Sequence, residues 1–536
     1  MMGQFGALNW SILIVFVLGN LLLGYILSKR ISTADDFYLG NRTTPWWAIG
    51  ISVVATYVSA LSFLGGPSWA YTDGFSVIAL HANYPLVIFV VITLFLPFFY
   101  NSGVASIYEY QERRFGPRAR ALISSIWLVS QTMTSAAILY ATSLVLEFIT
   151  GIDVVHAIII VTVIALIYTA LGGITAVIWT DVAQAAILLI GALIILFALI
   201  DRMPTSIGET LVALKAEGKL NPLEFKFEWS NATTAWSGII AMTFYHVTVY
   251  GTNQMMVQRT LAAKTIGEAK KSYLMMGYSA FFIYFLFIFL GVLFYAYYEG
   301  VEFENSNTII LQFATDYGMP GLMGLIAAAV MAASMSSLDS AFNSMSTVAT
   351  IDFYKKYFNK DATPEQMLVV SRWFTVVLAI IVIIPAIMLT SSTGSILQIL
   401  SNIGSYFVGA QLGMFAVGFF SKQATEKGVL VGTLVGFIIV WYLANHTDVA
   451  WPWFCAIGAA TNIFVTIIAS VLIDGKSDEY SPYTIKGQIR KFEEEGLEQK
   501  QEGWYLVPGK IDKKSYGLIV FFVATMLFLF LFQTLV

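Results

Sequence analysis

The sequence predicts an all-α membrane protein with fourteen transmembrane helices. Of its 536 residues, 58% are hydrophobic and only 12% are charged, a balance that no soluble core requires. Apolar runs of about 20 residues, the length needed to cross a bilayer, recur from one end of the chain to the other. The predicted helices are 8–28, 46–71, 77–100, 122–149, 155–172, 181–201, 236–257, 274–298, 320–350, 370–391, 394–420, 427–445, 451–473 and 516–535.

The basic residues predict which side of the membrane each connection occupies. All but four of the 29 Lys and Arg residues lie in connections that follow odd-numbered helices. The exceptions share one long loop, and no predicted span carries a Lys or Arg deep in its interior. Because cytoplasmic loops are enriched in Lys and Arg, we predict a multi-pass protein of the plasma (inner) membrane with both termini outside. The four exceptions are Arg202, Lys215, Lys219 and Lys226.

The ninth predicted helix carries hydroxyls and a carboxylate in its middle. Lipid cannot satisfy such groups, so this polar side must face protein, water or an ion. Oxygen ligands without a cysteine cluster suit a hard cation. The alternative is that the polar side only forms a contact between packed helices. At 100° per residue the polar stripe consists of Ser336, Ser340, Asn343 and Thr347, flanked by Ser337 and Ser344 on one side and Asp339 on the other.

Two predicted helices are interrupted. In the second helix Gly65-Gly66-Pro67 opposes regular hydrogen bonding, and in the seventh His246, Thr248 and Gly251 interrupt an apolar run. Interrupted helices five spans apart are expected of an inverted repeat around a central site. The predicted division is a leading helix and cytoplasmic loop (1–45), repeat 1 with core helices 1–5 (46–201), an extracellular loop (202–235), repeat 2 with core helices 6–10 (236–420), two additional helices (421–473), a charged cytoplasmic segment read as a solvated helix or linker (474–515), and a C-terminal helix (516–536).

Four motifs in order resemble the sodium:solute symporter family, which includes sodium/glucose, sodium/iodide, sodium/monocarboxylate, sodium/multivitamin and sialic-acid symporters. The resemblance implies a 5+5 inverted-repeat core that carries a small organic solute into the cell with Na⁺ by alternating access, and no enzymatic activity. It leaves the solute open among carboxylates, sugar acids, vitamins and sugars. The motifs are IYEYQERRF (107–115), GGITAVIWTDVAQ (172–184), NQMMVQRTLAAKT (253–265) and SLDSAFNSMSTVATIDFYKKY (337–357).

The same resemblance implies where Na⁺ binds. A candidate second Na⁺ site, present in some relatives, would use Asp181 and Ser340. Asp339 stands where the glucose and sialic-acid branches carry a hydroxyl residue, so it either binds that second Na⁺ or joins a charge network. The main Na⁺ site would consist of the backbone carbonyls of Ala55, Val58 and Ala333 and the hydroxyls of Ser336 and Ser337.

The three sugar-binding positions of the glucose branch carry other residue types here, so the resemblance does not imply a glucose-like pocket. The glycines and proline of SALSFLGGPSWAY (59–71) look more like those of the iodide, monocarboxylate and vitamin group. The position of the carboxylate-binding Arg of the sialic-acid branch falls at about Thr134. The two histidines, as hydrogen-bond donors or as cations, would suit a hydroxylated or anionic solute, unless neighbouring hydroxyls simply satisfy them. The aligned positions are Ser62, His81 and His246, and the full candidate set adds Ser59 and Tyr250.

Three other classes of function are weighed against Na⁺ symport. Proton coupling through Asp339 would keep the same fold, and an ion channel would need a repeated filter segment that the sequence lacks. A hydrolase could use only Asp181 with Asp339, without any accompanying nucleophile or metal motif. We therefore expect Na⁺, a small solute and the lipid bilayer as partners, and no nucleic acid.

Overall fold

The computed structural model describes residues 5–28, 38, 40–391 and 395–535. Most of this part is helical, and it also contains one hairpin of two strands with two residues each. The elements are α1 Ala7–Ser28, α2 Trp46–Tyr57, α3 Leu61–Asp73, α4 Phe75–Ser102, α5 Glu109–Arg114, α6 Pro117–Thr150, α7 Val154–Arg202, α8 Ile207–Ala216, α9 Met242–Gly251, α10 Gln254–Leu261, α11 Ile266–Tyr297, α12 Ile309–Tyr317, α13 Leu322–Phe358, α14 Pro364–Ser391, α15 Ile396–Phe420, α16 Glu426–His446, α17 Pro452–Asp474, α18 Ile485–Glu494, β1 Lys500–Gln501, β2 Trp504–Tyr505 and α19 Tyr516–Leu535.

Eleven described helices are long and apolar enough to cross a membrane, and α2 with α3 form a twelfth candidate as a bent pair. Predicted helices 5 and 7 are missing from this set. Helix 5 is absorbed into α7, a single helix of 49 residues that also contains predicted helix 6. The connection expected around 173–180 is helical, because this stretch contains no proline and glycine alone does not forbid helical hydrogen bonds. Within α7, Ile174–Arg202 is long and apolar enough to cross a membrane, whereas Val154–Ile167 is a shorter apolar stretch.

The first interruption lies a few residues earlier than predicted. Helix α2 ends at Tyr57 and α3 starts at Leu61, with a bend of 55° between them. Gly65-Gly66-Pro67 is helical in the structure, because Pro67 stands in the first turn of the regular helix Gly66–Asp73, where no helical amide partner is needed. The chain opens instead at 58–60.

Helix 7 is interrupted, but at 252–253, just after the residues predicted to interrupt it, because His246, Thr248 and Gly251 all lie within α9. A single π-helical turn, Ser237–Ala241, leads into α9, and the chain leaves the helix at Thr252 before α10 begins. The Asn253 side chain caps α10 by accepting a hydrogen bond from the Met255 amide at 2.9 Å. Each piece is therefore too short to count as a membrane span by itself.

Helix α13 lies at the centre of the molecule. Every residue from 326 to 350 is buried, including all the Ser, Thr, Asn and Asp side chains of that stretch. The helix packs against α2, α6, α7 and α10, so its polar stripe faces protein as predicted. Polar groups buried within a membrane protein need partners inside the protein, and the contacts of these side chains on α13 define the candidate site.

Segment 474–515 is folded onto the helices rather than extended as a free linker. The Trp504 side chain is buried against α11, where any side chain at Gly267 would collide with the indole. The Lys270 ammonium, also on α11, is completely buried and donates to the Asp512 carboxylate at 2.6 Å and to the Tyr505 carbonyl at 2.8 Å. The Gly509 amide donates to the Thr93 carbonyl at 2.9 Å, so the segment joins α4 to α11.

We expect Asp512→Asn to lower stability markedly. The change leaves the buried Lys270 ammonium without its carboxylate, and breaking a buried pair costs about 3–5 kcal/mol. The thermal unfolding midpoint of the purified protein measures this. The control is Asp474→Asn, because Asp474 pairs with the exposed Lys427, and such pairs contribute about 0–1 kcal/mol. Equal midpoints for the two variants would contradict the assignment.

Candidate functional site

The break between α2 and α3 leaves two backbone carbonyls without their helical partners. In a regular helix the Ser59 amide would bond to the Ala55 carbonyl, but it donates to Tyr57 at 3.0 Å. Likewise the Ser62 amide donates to the Ser59 carbonyl at 3.0 Å and not to the Val58 carbonyl, its partner in a regular helix. Carbonyl oxygens released in this way inside a membrane protein are ready ligands for a hard cation.

Helix α13 places its hydroxyls against this break. The Ser337 hydroxyl donates to the Thr56 carbonyl at 2.9 Å and to the Ala333 carbonyl one turn back at 3.2 Å. The neighbouring Ser336 hydroxyl donates to a carboxylate oxygen of Asp181 on α7 at 2.5 Å. All these side chains are buried, so carbonyl and hydroxyl oxygens of α2 and α13 converge in a dry interior.

A charged layer lies next to these hydroxyls. Asp181 accepts hydrogen bonds from Ser52 at 2.5 Å and Thr56 at 3.4 Å, and its carboxylate lies 3.7 Å from the guanidinium of Arg259 on α10. Arg259 donates in turn to Ser52 at 2.8 Å, and also to Ser340 and the Met255 carbonyl. The structure thus brings Asp181 and Ser340 together, and it places a cationic side chain between them.

Asp339 belongs to the same layer. Its side chain is completely buried on α13, and its charge interacts with that of Arg259. Two buried carboxylates therefore interact with one guanidinium in this layer. Among the described residues, no group of three His, Cys, Asp or Glu side chains could hold a transition metal. The oxygen donors present are of the kind that bind Na⁺ and other hard cations.

A cavity of about 100 Å³ lies beside the break. Of the predicted solute contacts, Ser59 and Ser62 line it, and Thr134 does so from α6. Two tyrosines form an aromatic wall, Tyr57 from α2 and Tyr284 from α11, with ring centroids 6.2 Å apart. The Ser62 and Tyr284 hydroxyls lie 3.0 Å apart at the end of this wall.

His81, His246 and Tyr250 lie behind the aromatic wall instead of lining the cavity. The His81 ring stacks on Tyr284 with centroids 3.8 Å apart and planes inclined by 7°. The ring centroid of Tyr57 lies 5.9 Å from that of His246 and 5.3 Å from that of Tyr250. The two histidine rings therefore lie together, with centroids 6.1 Å apart. Their alignment predicted that both face the cavity, but in the structure they form a second layer behind the aromatic wall.

The histidine rings are only half satisfied. Nδ1 of His81 lies 2.9 Å from the Tyr84 hydroxyl, and Nδ1 of His246 lies 2.9 Å from the Asn83 side-chain oxygen. Within the described part of the chain, Nε2 of both rings and the Tyr250 hydroxyl have no hydrogen-bond partner. No acidic side chain is bonded to either ring there, so neighbouring hydroxyls explain these histidines only in part.

Sequence reasoning missed Arg259 and Gln131. Arg259 follows the predicted end of helix 7 by two residues, outside every predicted span, yet its side chain is completely buried within the protein. The helix restarts at Gln254 after the interruption and carries Arg259 inward. Its position inside the motif shared with the family was the available signal. Gln131 lines the cavity from α6, and its neighbours in sequence gave no hint of this.

Comparisons with known proteins agree with this geometry. A family model described as the sodium:solute symporter family matches residues 37–436. The sodium/sialic acid symporter SiaT of Proteus mirabilis is 30% identical over 478 residues, which cover 88% of this chain and 96% of that protein. The human sodium-coupled monocarboxylate transporter 1 is 31% identical over 420 residues, which cover 76% of this chain and 68% of that protein.

A solved structure shows the same fold. The substrate-bound, outward-open state of a Na⁺-coupled sialic acid symporter superposes with a TM-score of 0.82 at 29% identity, covering 89% of this chain and 100% of that one. The family model, the relatives and the shared architecture lead to one conclusion. The chain belongs to the sodium:solute symporter family, and it is a Na⁺-coupled solute symporter of the membrane, not an enzyme.

Proposed function

We propose that the driving Na⁺ binds at the break, between the carbonyls of Ala55, Val58 and Ala333 and the hydroxyls of Ser336 and Ser337. The observation that carries this proposal is the pairing of opened carbonyls on α2 with hydroxyls on α13, joined by the 2.9 Å bond from Ser337 to Thr56. A Na⁺ ion there would replace hydrogen bonds that only partly satisfy these oxygens.

Binding of this ion would couple to solute binding because both sites share the same break. Thr56 and Ser59 belong to the break and also line the cavity. Na⁺ entering from outside would hold α13 against α2 and stabilise an outward-facing cavity. Solute would then bind against Ser59, Ser62 and the aromatic wall backed by His81, His246 and Tyr250, and a rocking of the two halves would release both inside.

The proposed membrane arrangement has fourteen crossings, with two inverted halves over 46–201 and 236–420. It rests on the two interrupted helices, α2–α3 and α9–α10, and on the interpretation of two apolar stretches of α7, Val154–Ile167 and Ile174–Arg202, as separate spans. The segments outside the halves are those given above, with 1–45 leading and 421–536 following. The distribution of Lys and Arg supports both termini outside and the charged segment 474–515 inside the cell.

Asp181, Asp339 and Ser340 are proposed as a second cation position. In this conformation the Arg259 guanidinium stands between Asp181 and Ser340 and supplies the positive charge. A second Na⁺ would enter when the guanidinium moves away, because the guanidinium occupies this position and repels another cation beside it. Whether Na⁺ occupies this position would therefore depend on where α10 holds the Arg259 guanidinium.

The free energy available from the membrane potential and the Na⁺ gradient is sufficient to drive accumulation of the solute. One charge crossing about 100 mV gains about 2.3 kcal/mol. A tenfold inward Na⁺ gradient adds about 1.4 kcal/mol. One Na⁺ per solute therefore supports accumulation of an uncharged solute by several hundredfold.

We expect uptake into proteoliposomes to require Na⁺ and to cease when choline replaces it. Measuring uptake from pH 5.5 to 8.5 distinguishes the proton-coupled alternative, since a proton gradient should not restore uptake in choline. The Na⁺ dependence should be stoichiometric and saturable, as a carrier requires. Uptake driven by a pH gradient in the absence of Na⁺ would contradict the proposal.

Ser337→Ala should raise the Na⁺ concentration for half-maximal uptake by about tenfold. It removes one oxygen ligand, and a hydrogen bond or ligand to a charged group contributes about 1.5–3 kcal/mol. The matched control is Ser346→Ala on the same helix, because the Ser346 hydroxyl bonds only to the Asn343 carbonyl of its own turn. Wild-type Na⁺ dependence in the Ser337 variant would show that the site is assigned wrongly.

Asp181→Asn should abolish Na⁺-driven accumulation. The substitution removes the carboxylate charge closest to the Arg259 guanidinium and replaces one of the two acceptor oxygens, which receive hydrogen bonds from Ser336 and Ser52, with an amide donor. Asp153→Asn is the control, since Asp153 is exposed and caps the start of the same helix, a role that Asn fills equally well. Accumulation that survives in the Asp181 variant would argue against the charged layer.

A further inference from the structure

We propose that the protein binds an anionic phospholipid of the cytoplasmic leaflet in a groove along α11, with the lipid headgroup at Lys271 and an acyl chain along the helix. The groove shares no lining residue with the cavity beside the break, so this site is additional to the proposed Na⁺ and solute sites. The inference uses only the membrane orientation proposed above, which places the start of α11 on the cytoplasmic side.

The groove follows one face of α11 and has a volume of about 520 Å³. Its lining residues on this helix recur three or four positions apart, so their side chains lie one above another. Trp46 lines the groove from the first turn of α2. The residues of α11 that line it are Lys271, Leu274, Met275, Tyr278, Ser279 and Phe282.

The body of the groove suits a hydrocarbon chain. The Ser279 hydroxyl donates to the Met275 carbonyl of its own helix at 2.7 Å, so the polar group of this residue is already satisfied. The Phe282 side chain is 60% exposed at the far end, on a helix that is long and apolar enough to cross the membrane. In a bilayer such a surface meets lipid tails, because water is excluded there.

Helix α19 borders the groove on the protein side. The Phe521 ring centroid lies 5.3 Å from that of Tyr278 and 5.8 Å from that of Phe282. These contacts hold two of the lining rings in place, so the apolar wall is built by tertiary packing and not by α11 alone.

Lys271 places a positive charge at the cytoplasmic end of this apolar wall. The preceding residue, Lys270, is buried and paired with Asp512, whereas Lys271 is half-buried and forms no ion pair with any acidic side chain that the structure describes. A lysine near the end of a membrane helix covers apolar surface with its stem and places its ammonium among the lipid headgroups. A phosphate there would supply the missing partner.

A second ammonium lies at the same end of α11. The Lys514 nitrogen lies 5.0 Å from the centre of the Trp504 ring. That indole packs against Gly267, which precedes Lys271 by one helical turn on the same face. Excess positive charge beside a membrane helix attracts anionic lipids. The stretches 264–271 and 510–514 together hold six lysines and only two acidic residues, Glu268 and Asp512.

A lipid in the groove would contact two helices that carry different parts of the transport site. Trp46 belongs to α2, which supplies the proposed Na⁺ ligands, and α11 supplies Tyr284 of the aromatic wall. The two helices already approach closely, since a Cβ atom at Gly50 would lie 2.9 Å from the Met275 sulfur. The bound lipid would therefore stabilise this helix pair.

The experiment separates the contributions of chain and charge with three probes. Purified full-length protein in detergent micelles is titrated with dioleoylphosphatidylglycerol, which has both, with dioleoylphosphatidylcholine, which has the chains without net charge, and with glycerol 1-phosphate, which has only the charge. Ligand binding raises the thermal unfolding midpoint, which is the readout. We expect phosphatidylglycerol to half-saturate at a mole fraction at least fivefold lower than phosphatidylcholine, and glycerol 1-phosphate to cause no shift.

Three results would overturn the proposal: equal half-saturating mole fractions for the two lipids, no shift with phosphatidylglycerol, or a shift with glycerol 1-phosphate. The titrations contain choline chloride and no solute. A failure here therefore leaves the proposed Na⁺ site standing, and a failure of the Na⁺ site leaves the lipid result unaffected.

Two variants locate the lipid in the groove. Lys271→Gln should raise the half-saturating mole fraction of phosphatidylglycerol about fivefold, which is about 1 kcal/mol, and leave that of phosphatidylcholine unchanged. Ser279→Phe keeps the charge but fills the groove, and it should weaken the binding of both lipids.

The matched control is Lys360→Gln, which removes one positive charge from the exposed connection between α13 and α14 and should have no effect. If the Lys271 and Lys360 variants behave alike, or if the Ser279 variant keeps wild-type affinity for phosphatidylglycerol, the groove is not the lipid site.

Discussion

The hydrogen bond from the Ser337 hydroxyl to the Thr56 carbonyl holds together the parts on which the site depends. It joins the middle of α13 to the last turn of α2, where the helix stops and its carbonyls lose their amide partners. In a membrane interior such carbonyls must be satisfied by other protein groups or by an ion. A hydroxyl of a fully buried helix therefore stabilises the broken helix, at the position where we propose that Na⁺ binds.

The layer around Asp181 fixes the relative positions of four helices. Ser52 on α2, Ser336 on α13 and Arg259 on α10 all contact this one carboxylate of α7. A buried ion pair is stable only when its remaining donors and acceptors are also satisfied, and here serine hydroxyls supply those bonds. Displacement of any one of these helices would break a contact to this carboxylate, so movement of the core would alter the proposed cation site.

Charge is segregated across the break. On one side the carboxylates of Asp181 and Asp339 and the guanidinium of Arg259 are packed among hydroxyls. On the other side the cavity is lined by tyrosines, amides and hydroxyls, with Thr56 contributing to both. In the proposed mechanism, Na⁺ and solute are recognised by different chemistry within this one structural element, and Thr56 links the two sites.

The sequence by itself determined the membrane class, the polar stripe of the ninth predicted helix, the two interrupted helices and the resemblance to the family. These follow from hydropathy, helical periodicity and local motifs, all of which are properties of neighbouring residues. Only the tertiary structure decided that the first break lies at 58–60 and that predicted helices 5 and 6 share α7. It also decided that Arg259 reaches Asp181 and that Tyr57 and Tyr284 shield His81 and His246. Those facts depend on contacts between residues far apart in the chain, and no local pattern encodes which distant side chain fills a given space.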